Sequence, residues 1–148
     1  MELEAARNLA ETLMRKHRLP REWSFVFDRS KVRFGKCDYR RKLISLSSHL
    51  VELNDEHNVQ ETILHEIAHA LAPRGAGHGP TWRAVALSIG CTGTRCYGDE
   101  VQRPKPKYQG KCRSCGRVIF RHRRTAIACG KCTRVFDLRF AFVWTDGT

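Results

Sequence analysis

The segment His65-Glu-Ile-Ala-His69, with the glycine-rich turn behind it, constrains the fold more than any other feature of the chain. Histidines four residues apart on a helix lie on one face, a turn apart, where both imidazoles can bind the same metal ion. Glu66 lies beside this pair, where its carboxylate can accept a proton from a water molecule at the ion. The pattern predicts a helix that carries two metal ligands and a base. An ordinary amphipathic helix with a surface glutamate is the alternative.

The residues after this helix predict a third ligand. Gly75, Gly77 and Gly79 let the backbone reverse tightly, because glycine has no Cβ atom. Such a turn can bring His78 back to the ion, which gives three nitrogen ligands and leaves a fourth position for water. A loop histidine without a ligand role is the other interpretation of His78. The helix predicted over residues 80–89 contains neither Asp nor Glu, so no carboxylate ligand is expected from it.

Apolar periodicity in the first hundred residues predicts helices packed on a small sheet. One apolar face predicts a helix over residues 2–17, and another predicts a helix that starts near Asn58, where Asn58 and Glu61 have the spacing of a capping box. A further helix should open at Pro80, since proline is favoured at the first helical position. The predicted strands are at residues 23–27, 32–34 and 43–46. The expected fold class is α+β.

Two Cys-x-x-Cys pairs near the C-terminus enclose 13 residues. This spacing is typical of a zinc ribbon, in which four thiolates close the site around one structural ion. The predicted ligands are Cys112, Cys115, Cys129 and Cys132, and the predicted ribbon strands are near residues 118–120 and 125–128. The remaining cysteines, Cys37, Cys91 and Cys96, are expected to be small core residues or free thiols. Pairing of Cys91 with Cys96 is also open.

Positive charge is concentrated in the last third of the chain. Residues 101–148 contain 12 Lys or Arg against 2 Asp or Glu, whereas residues 1–100 contain 15 against 13. This density favours a polyanionic partner, most often nucleic acid. The predicted contacts are Arg121, His122, Arg123 and Arg124 at a hairpin tip, and Trp144, which shares a face with Phe140 and Phe142 and can stack bases. A solubilising surface and an aromatic core of the ribbon are the alternatives.

The start of the chain predicts an intracellular protein. MELEAARNLA is acidic and lacks the basic stretch and apolar run of a signal peptide. No apolar run approaches the roughly 20 residues that a membrane helix needs. Seven cysteines in such a chain favour metal binding over a disulfide framework. We expect the cytoplasm or nucleoid of a bacterium or phage-infected cell, or the nucleus of a eukaryotic one, and no membrane partner.

Together these motifs resemble the SprT-like family, which includes the Spartan proteases. The likeness rests on HEIAHAL, on His78-Gly79-Pro80 followed two residues later by Trp82, on GKCDYRRKLISLS and on the four-cysteine module. The resemblance implies a zincin-like metalloprotease domain at residues 1–100, a linker at 101–109 and a zinc ribbon at 110–148. It also implies that His65, His69 and His78 bind a catalytic zinc ion, that Glu66 is the general base, and that the substrates are proteins trapped on DNA.

The sequence is thus predicted to encode a zinc peptidase with one catalytic and one structural ion. Its expected partners are protein substrates and DNA, either single-stranded or in complex with protein. A non-catalytic nucleic-acid-binding protein on the same scaffold is the rival, and Glu66 argues against it because a structural site needs no base. The substrate is expected to add a strand beside residues 43–46. Arg74 and Arg83 are candidates for stabilising the oxyanion, only because they lie near the predicted metal ligands in the sequence.

Overall fold

The computed structural model of the chain describes residues 1–94 and 100–147 and divides into two compact units, Met1–Pro104 and Lys105–Thr148. The first unit packs helices on a three-stranded sheet, and the second contains a separate three-stranded sheet. The α+β fold class predicted from the sequence is therefore confirmed. None of the helices in the described ranges is long and apolar enough to cross a membrane.

The sheet of the first unit has a fully paired central strand. Its strands are β1 (Ser24–Asp28), β2 (Gly35–Asp38) and β3 (Leu43–Ser47), in the order β1-β3-β2. β3 runs parallel to β1 and antiparallel to β2. Ile44 and Leu46 of β3 are fully buried, as expected for an apolar strand between two neighbours. A peptide cannot add a strand beside residues 43–46, because both edges of β3 are occupied, so that expectation was wrong.

The predicted strand at residues 32–34 was also misplaced. Val32 is 71% exposed, and the strand begins only at Gly35. The Ser30 hydroxyl accepts hydrogen bonds from the backbone N–H groups of Val32 and Arg33, which holds this segment in a turn. The local side-chain hydrogen bond therefore competes successfully with strand pairing.

The helices of the first unit are α1 (Leu3–Lys16), α2 (Ser48–Leu53), α3 (Glu56–Leu71) and α4 (Pro80–Ser88). α1 and α4 agree with the prediction. α3 begins before Asn58 because Asp55, rather than Asn58, is its N-cap, and the Asp55 carboxylate accepts from the Asn58 backbone N–H. The sequence analysis missed α2, whose six residues are too few to show a helical period.

α3 is the central element of the first unit. It packs against α1, α4, β2 and β3. Val59, Ile63 and Ile67 on its inner side are fully buried, and burying each such side chain stabilises the fold by about 1.5–3 kcal/mol. The helix that was predicted to carry metal ligands is thus a rigid part of the core.

The segment after α4 belongs in part to the first unit. The Asn54 side chain donates to the Gln102 carbonyl and accepts from the Gln102 N–H, both at 2.8 Å. Val101 is buried in the core. Residues 101 and 102, at the start of the predicted linker, are therefore tied to the helical unit.

The second unit is an antiparallel sheet with a very small core. Its strands are β4 (Tyr108–Cys112), β5 (Val118–Arg121) and β6 (Phe142–Asp146), in the order β5-β4-β6. The buried core consists of Cys112, Cys129 and Phe142, with Trp144 packed against it. So small a core supplies little hydrophobic stabilisation, and domains of this kind usually depend on a metal or disulfides.

Two predictions about the second unit need correction. The strand predicted near residues 125–128 is reduced to a single bridge between Ala128 and Ala141. Phe140 does not belong to the last strand but ends a 3-10 helix, Leu138–Phe140. Asp137 causes this turn, since its carboxylate accepts from the Arg139 backbone N–H and side chain.

Candidate active site and metal centres

Three histidines of the first unit bring their Nε2 atoms together. The distances are 3.0 Å for His65–His78, 3.2 Å for His65–His69 and 3.0 Å for His69–His78. α3 supplies two of these side chains from successive turns, and the loop before α4 supplies the third. Gly75 and Gly77 have φ values of 84° and 54° in that loop, a region that other residues rarely adopt. The structure thus brings together the three residues named from the sequence, in a group that could hold a metal ion.

Burial and neighbouring charges lower the pKa of two of these imidazoles and so favour their neutral form, which is the form that binds a metal. Burial, followed by the charges of His69 and His78, lowers the pKa of His65 to about 3. Burial and then His78 lower the pKa of His69 to about 4. The His65 ring also hydrogen-bonds to the backbone of Thr94. Since Nε2 faces the other histidines, Nδ1 makes this bond, which leaves the lone pair on Nε2.

Trp82 supports all three histidines. Its ring centroid lies 4.7 Å from that of His65, 5.2 Å from that of His69 and 4.7 Å from that of His78. The side chain is only 1% exposed, and its Nε1 atom has no hydrogen-bond partner within the described part of the chain. Trp82 therefore acts through ring packing. This role was not predicted from the sequence, although the position of Trp82 in the first turn of α4, four residues after His78, was a signal.

Glu66 is buried against β2. Glu66 directly follows His65 in α3, and the residue is only 6% exposed. The backbone N–H of Cys37 in β2 donates to it. Burial raises the pKa of Glu66 to about 8, against the opposing effects of Arg33 and of the Cys37 hydrogen bond. A bound divalent cation would lower this pKa again, because it favours the charged form.

Gly35 allows this close approach of β2 to α3. A Cβ atom at position 35 would lie 2.7 Å from Glu66 Oε1 and 2.9 Å from Thr62 Cγ2. Contacts this short do not occur between a Cβ atom and its neighbours without displacement. Sequence reasoning missed the role of Gly35, because the contact joins residues 31 positions apart. The only local signal was a glycine at the start of a strand.

The four cysteines of the two pairs form a second group that could hold a metal ion. Their sulfur atoms all lie within 4.8 Å of one another. Cys112 Sγ is 3.9 Å from Cys132 Sγ, and Cys115 Sγ is 3.7 Å from Cys129 Sγ. Backbone hydrogen bonds from Cys115 and Ser114 lower the pKa of Cys112. This favours the thiolate, which is the ligand form.

The predicted nucleic-acid residues of the second unit have different environments. Arg121 and Arg123 are exposed, and His122 is partly buried. Arg124 lies over the Tyr108 ring, 4.8 Å from its centroid, and pairs with Asp146 at 3.1 Å. The sequence analysis did not anticipate this contact between the ends of the unit.

Trp144 is part of the packing of the second unit. Its indole N–H donates to the Thr125 carbonyl at 2.9 Å. Its ring covers Gly110, where an added Cβ atom would lie 2.9 Å from the indole. The ring also packs against the buried cysteine core. These contacts favour the alternative that the aromatic stripe is the unit's own core, and base stacking by Trp144 stays a prediction.

The remaining residues singled out from the sequence lie around the first unit. Arg74 lies over the Tyr39 ring, 5.8 Å from its centroid, and the Arg83 side chain approaches Gly93. Neither contact tests an oxyanion role. Cys37 and Cys91 are free thiols, half-buried and buried respectively. Cys96 lies outside the described residues, and so does the proposed pairing with Cys91.

The fold and its two clusters define an α+β protein with a three-histidine centre, a buried glutamate beside it, and a separate four-cysteine centre. The profile of the SprT-like family matches residues 3–103, and the chain therefore belongs to the SprT-like family. This confirms the resemblance identified from the sequence motifs. Comparison with curated proteins and with solved structures gave no match.

Proposed function

We propose that the chain is a zinc-dependent peptidase with a zincin-like catalytic unit and a zinc ribbon. The convergence of three histidine Nε2 atoms next to a buried Glu66 carries this proposal. A tetrahedral zinc ion with Zn–N bonds of about 2.0–2.1 Å needs ligand nitrogens about 3.3 Å apart. The observed separations of 3.0–3.2 Å are close to that value.

The cysteine group fits a second zinc ion in the same way. Zn–S bonds of about 2.3 Å require sulfur atoms about 3.8 Å apart around a tetrahedral ion. Two of the sulfur pairs are 3.7 and 3.9 Å apart, and all four atoms lie within 4.8 Å of one another. Four sulfur ligands fill the coordination sphere, so this ion would stabilise the unit and have no catalytic role. The proposal thus requires two zinc ions per chain.

In the catalytic unit, a bound zinc ion would polarise the scissile carbonyl and acidify a water molecule. Glu66 accepts the proton of the attacking water and passes it to the leaving amine. The Cys37 backbone N–H holds the carboxylate in place for this transfer. Trp82 fixes the three imidazoles by packing against each ring. The chain therefore supplies both the ligands and a positioned base.

The substrate would bind along β2 rather than β3. β2 is the edge strand of the described sheet next to α3, and its backbone already contacts Glu66. An extended peptide that adds a strand to this edge would pass directly beside the base. This replaces the expectation that the peptide docks beside residues 43–46.

The charge of the second unit supports DNA-bound or DNA-crosslinked proteins as substrates. Residues 105–148 carry 11 basic against 2 acidic side chains, and Arg121 and Arg123 are exposed. Exposed guanidinium groups suit phosphate contacts. Binding to DNA would raise the local concentration of the peptidase near proteins on that DNA.

The test is incubation of the purified protein with a DNA-binding protein, with and without DNA. We expect fragments that increase when DNA is present and disappear when a chelator removes the histidine-bound zinc. A second zinc ion should remain with the cysteine cluster. Absence of fragments from any protein or peptide, with both sites loaded, would favour the rival non-catalytic nucleic-acid-binding function.

Gly35→Ala is expected to lower the kcat for peptide cleavage by about 10²-fold, because a displacement of a catalytic group by about 1 Å has effects of this size. The atoms nearest to the added Cβ would belong to Glu66 and Thr62 rather than to the three histidines. The measurement is kcat together with zinc content, which should stay at the wild-type level. Lys16→Ala changes an exposed residue of α1, away from the sheet edge, and is the control. An unchanged kcat in Gly35→Ala would contradict the assigned position of the base.

Cleavage of a DNA-bound protein should fall steeply between roughly 50 and 200 mM salt, since phosphate contacts release counterions. Cleavage of a short free peptide should change little over the same range. Simultaneous replacement by Ala of three cations in the second unit should weaken the salt dependence for the DNA-bound protein and leave that for the free peptide unchanged. These cations are Arg121, Arg123 and Arg124.

The matched control replaces three exposed cations of the first unit by Ala. They are Arg15, Lys16 and Lys31. This control should keep the wild-type salt dependence. If the second-unit variant binds DNA as tightly as wild type, its charge is only a solvated surface, and the peptidase would have another class of substrate.

A further inference from the structure

A cleft of about 530 Å³ lies in the first unit, beside the histidine centre. Its volume is within the range of roughly 300–1,000 Å³ found for ligand pockets. Three parts of the fold line it: the residues before β1, the turn from β2 to β3, and the end of α3 with the residue after Pro73. The side chains used below are Trp23, Tyr39, Lys42, Leu71 and Arg74. Of these five, the sequence singled out only Arg74, as an oxyanion candidate.

The cleft shares its wall with the metal-binding helix. Ala70 lines it and directly follows His69 in α3. The Tyr39 hydroxyl donates a hydrogen bond of 2.7 Å to the His69 carbonyl. Tyr39 is also the residue that follows β2, the edge strand beside Glu66. A peptide lying along β2 therefore reaches the cleft at the end of that strand.

Two cations stand over the aromatic rings of the cleft. Lys42 Nζ lies 5.7 Å from the Trp23 ring centroid, and the Arg74 guanidinium lies 5.8 Å from the Tyr39 ring centroid. The two rings are in edge contact, 6.2 Å apart. The rings and Leu71 form an apolar surface, and the exposed cations give it a positive rim.

This positive charge is largely uncompensated. Glu22 approaches Lys42 at 3.6 Å, but both side chains are well exposed, and such pairs are weak. In the described part of the chain, no carboxylate lies within ion-pair distance of Arg74. The complementary ligand is an apolar group with a carboxylate next to it.

We propose that this cleft is a substrate subsite, which binds an acidic side chain of the peptide through Lys42 and Arg74 and an apolar neighbour through the exposed Leu71 side chain. The inference rests on the proposed peptidase function and adds a selectivity to it. A stacked nucleobase fits the cleft less well, because stacking needs an open ring face. Trp23 is only 8% exposed, and cations already lie over both rings.

The test compares peptides that differ only by Glu or Gln at one position, scanned along the sequence on both sides of the cut. Wild type should cleave the Glu peptide with a kcat/KM about three- to tenfold higher at one position, the size expected for partly exposed charged contacts. In the double variant Lys42→Gln/Arg74→Gln this ratio should fall to about one. Lys16→Gln, an exposed cation away from the cleft, should keep the wild-type ratio. The reversed variant Arg74→Glu should prefer a Lys peptide at the same position.

A binding measurement separates this inference from the proposed function. Fluorescence anisotropy of the labelled Glu and Gln peptides with the Glu66→Gln variant should show the same preference without cleavage, and loss of both cations should abolish it. If wild type cleaves no peptide, the peptidase function fails, whatever the anisotropy shows. If wild type cleaves Glu and Gln peptides equally at every position, the subsite alone is overturned.

Two further results would overturn the subsite. An equal fall in kcat for both peptides in the Arg74→Gln variant would indicate an oxyanion role for Arg74 instead. A loss of oligothymidylate binding in the double variant, with the peptide preference intact, would assign the cleft to nucleic acid. Circular dichroism of each variant checks the fold, which these exposed replacements should preserve.

Discussion

Glu66→Gln is expected to lower peptide cleavage by about 10²–10⁴-fold, the usual contribution of a general acid–base group. Glutamine has nearly the same shape, and its amide can still accept the hydrogen bond from the Cys37 N–H. It cannot take a proton from the attacking water. Glu66 does not belong to the group of three histidines that could hold a metal ion, so zinc binding should persist.

The measurement is kcat on a short peptide, together with the zinc content of the same preparation. Glu56→Gln makes the same chemical change in the first turn of α3, at an exposed position, and should retain the wild-type kcat. Wild-type cleavage by Glu66→Gln would refute the assigned base. Loss of zinc in that variant would instead indicate that Glu66 is a ligand.

Cys112→Ser is expected to unfold the second unit while the first unit stays folded. Two of the three buried core residues of the second unit are cysteines of the cluster, so loss of the metal also removes its core. Structural zinc sites contribute about 10–16 kcal/mol to folding in small domains, more than a core of this size can replace. We expect rapid proteolysis of residues 105–148 and a change in the fluorescence of Trp144, whose ring would lose its packing.

The first unit provides the internal reference for this experiment. All of the α-helices of the described residues lie in it, so the helical circular dichroism signal should change little. Cys91→Ser, the same chemical change at a buried position of the first unit, should leave the second unit resistant to proteolysis. A cooperative loss of the helical signal in Cys112→Ser would contradict independent folding of the two units.

Local sequence patterns were sufficient to predict the elements that carry the grouped histidines and cysteines. α3 and α4 could be predicted because their apolar periodicity and Pro80 are encoded within a turn or two of the chain, although the N-cap of α3 was misassigned. The grouping of His65 and His69 follows from helical geometry, and the glycine turn explains His78. The Cys-x-x-Cys spacing likewise predicts its own cluster.

The contacts that tune the site could not be predicted, because each joins residues far apart in the sequence. Trp82 contacts the three histidines because α4 packs on α3. Gly35 contacts Glu66 because β2 pairs with β3 in a particular register. The cleft likewise depends on where Tyr39 meets the end of α3. A pattern of period 3.6 or 2 specifies which face of an element is apolar but not which neighbour covers it.

The bare backbone at Gly35 has a consequence for how natural variants of this protein are interpreted. A mutation there would leave every ligand of both clusters in place, so a screen based on zinc content or on motif matching would score the protein as intact. The largest defect would be in turnover, because the atom nearest to the added Cβ is Glu66 Oε1. Such a variant would pass as intact in both screens, and only a direct measurement of cleavage would identify it.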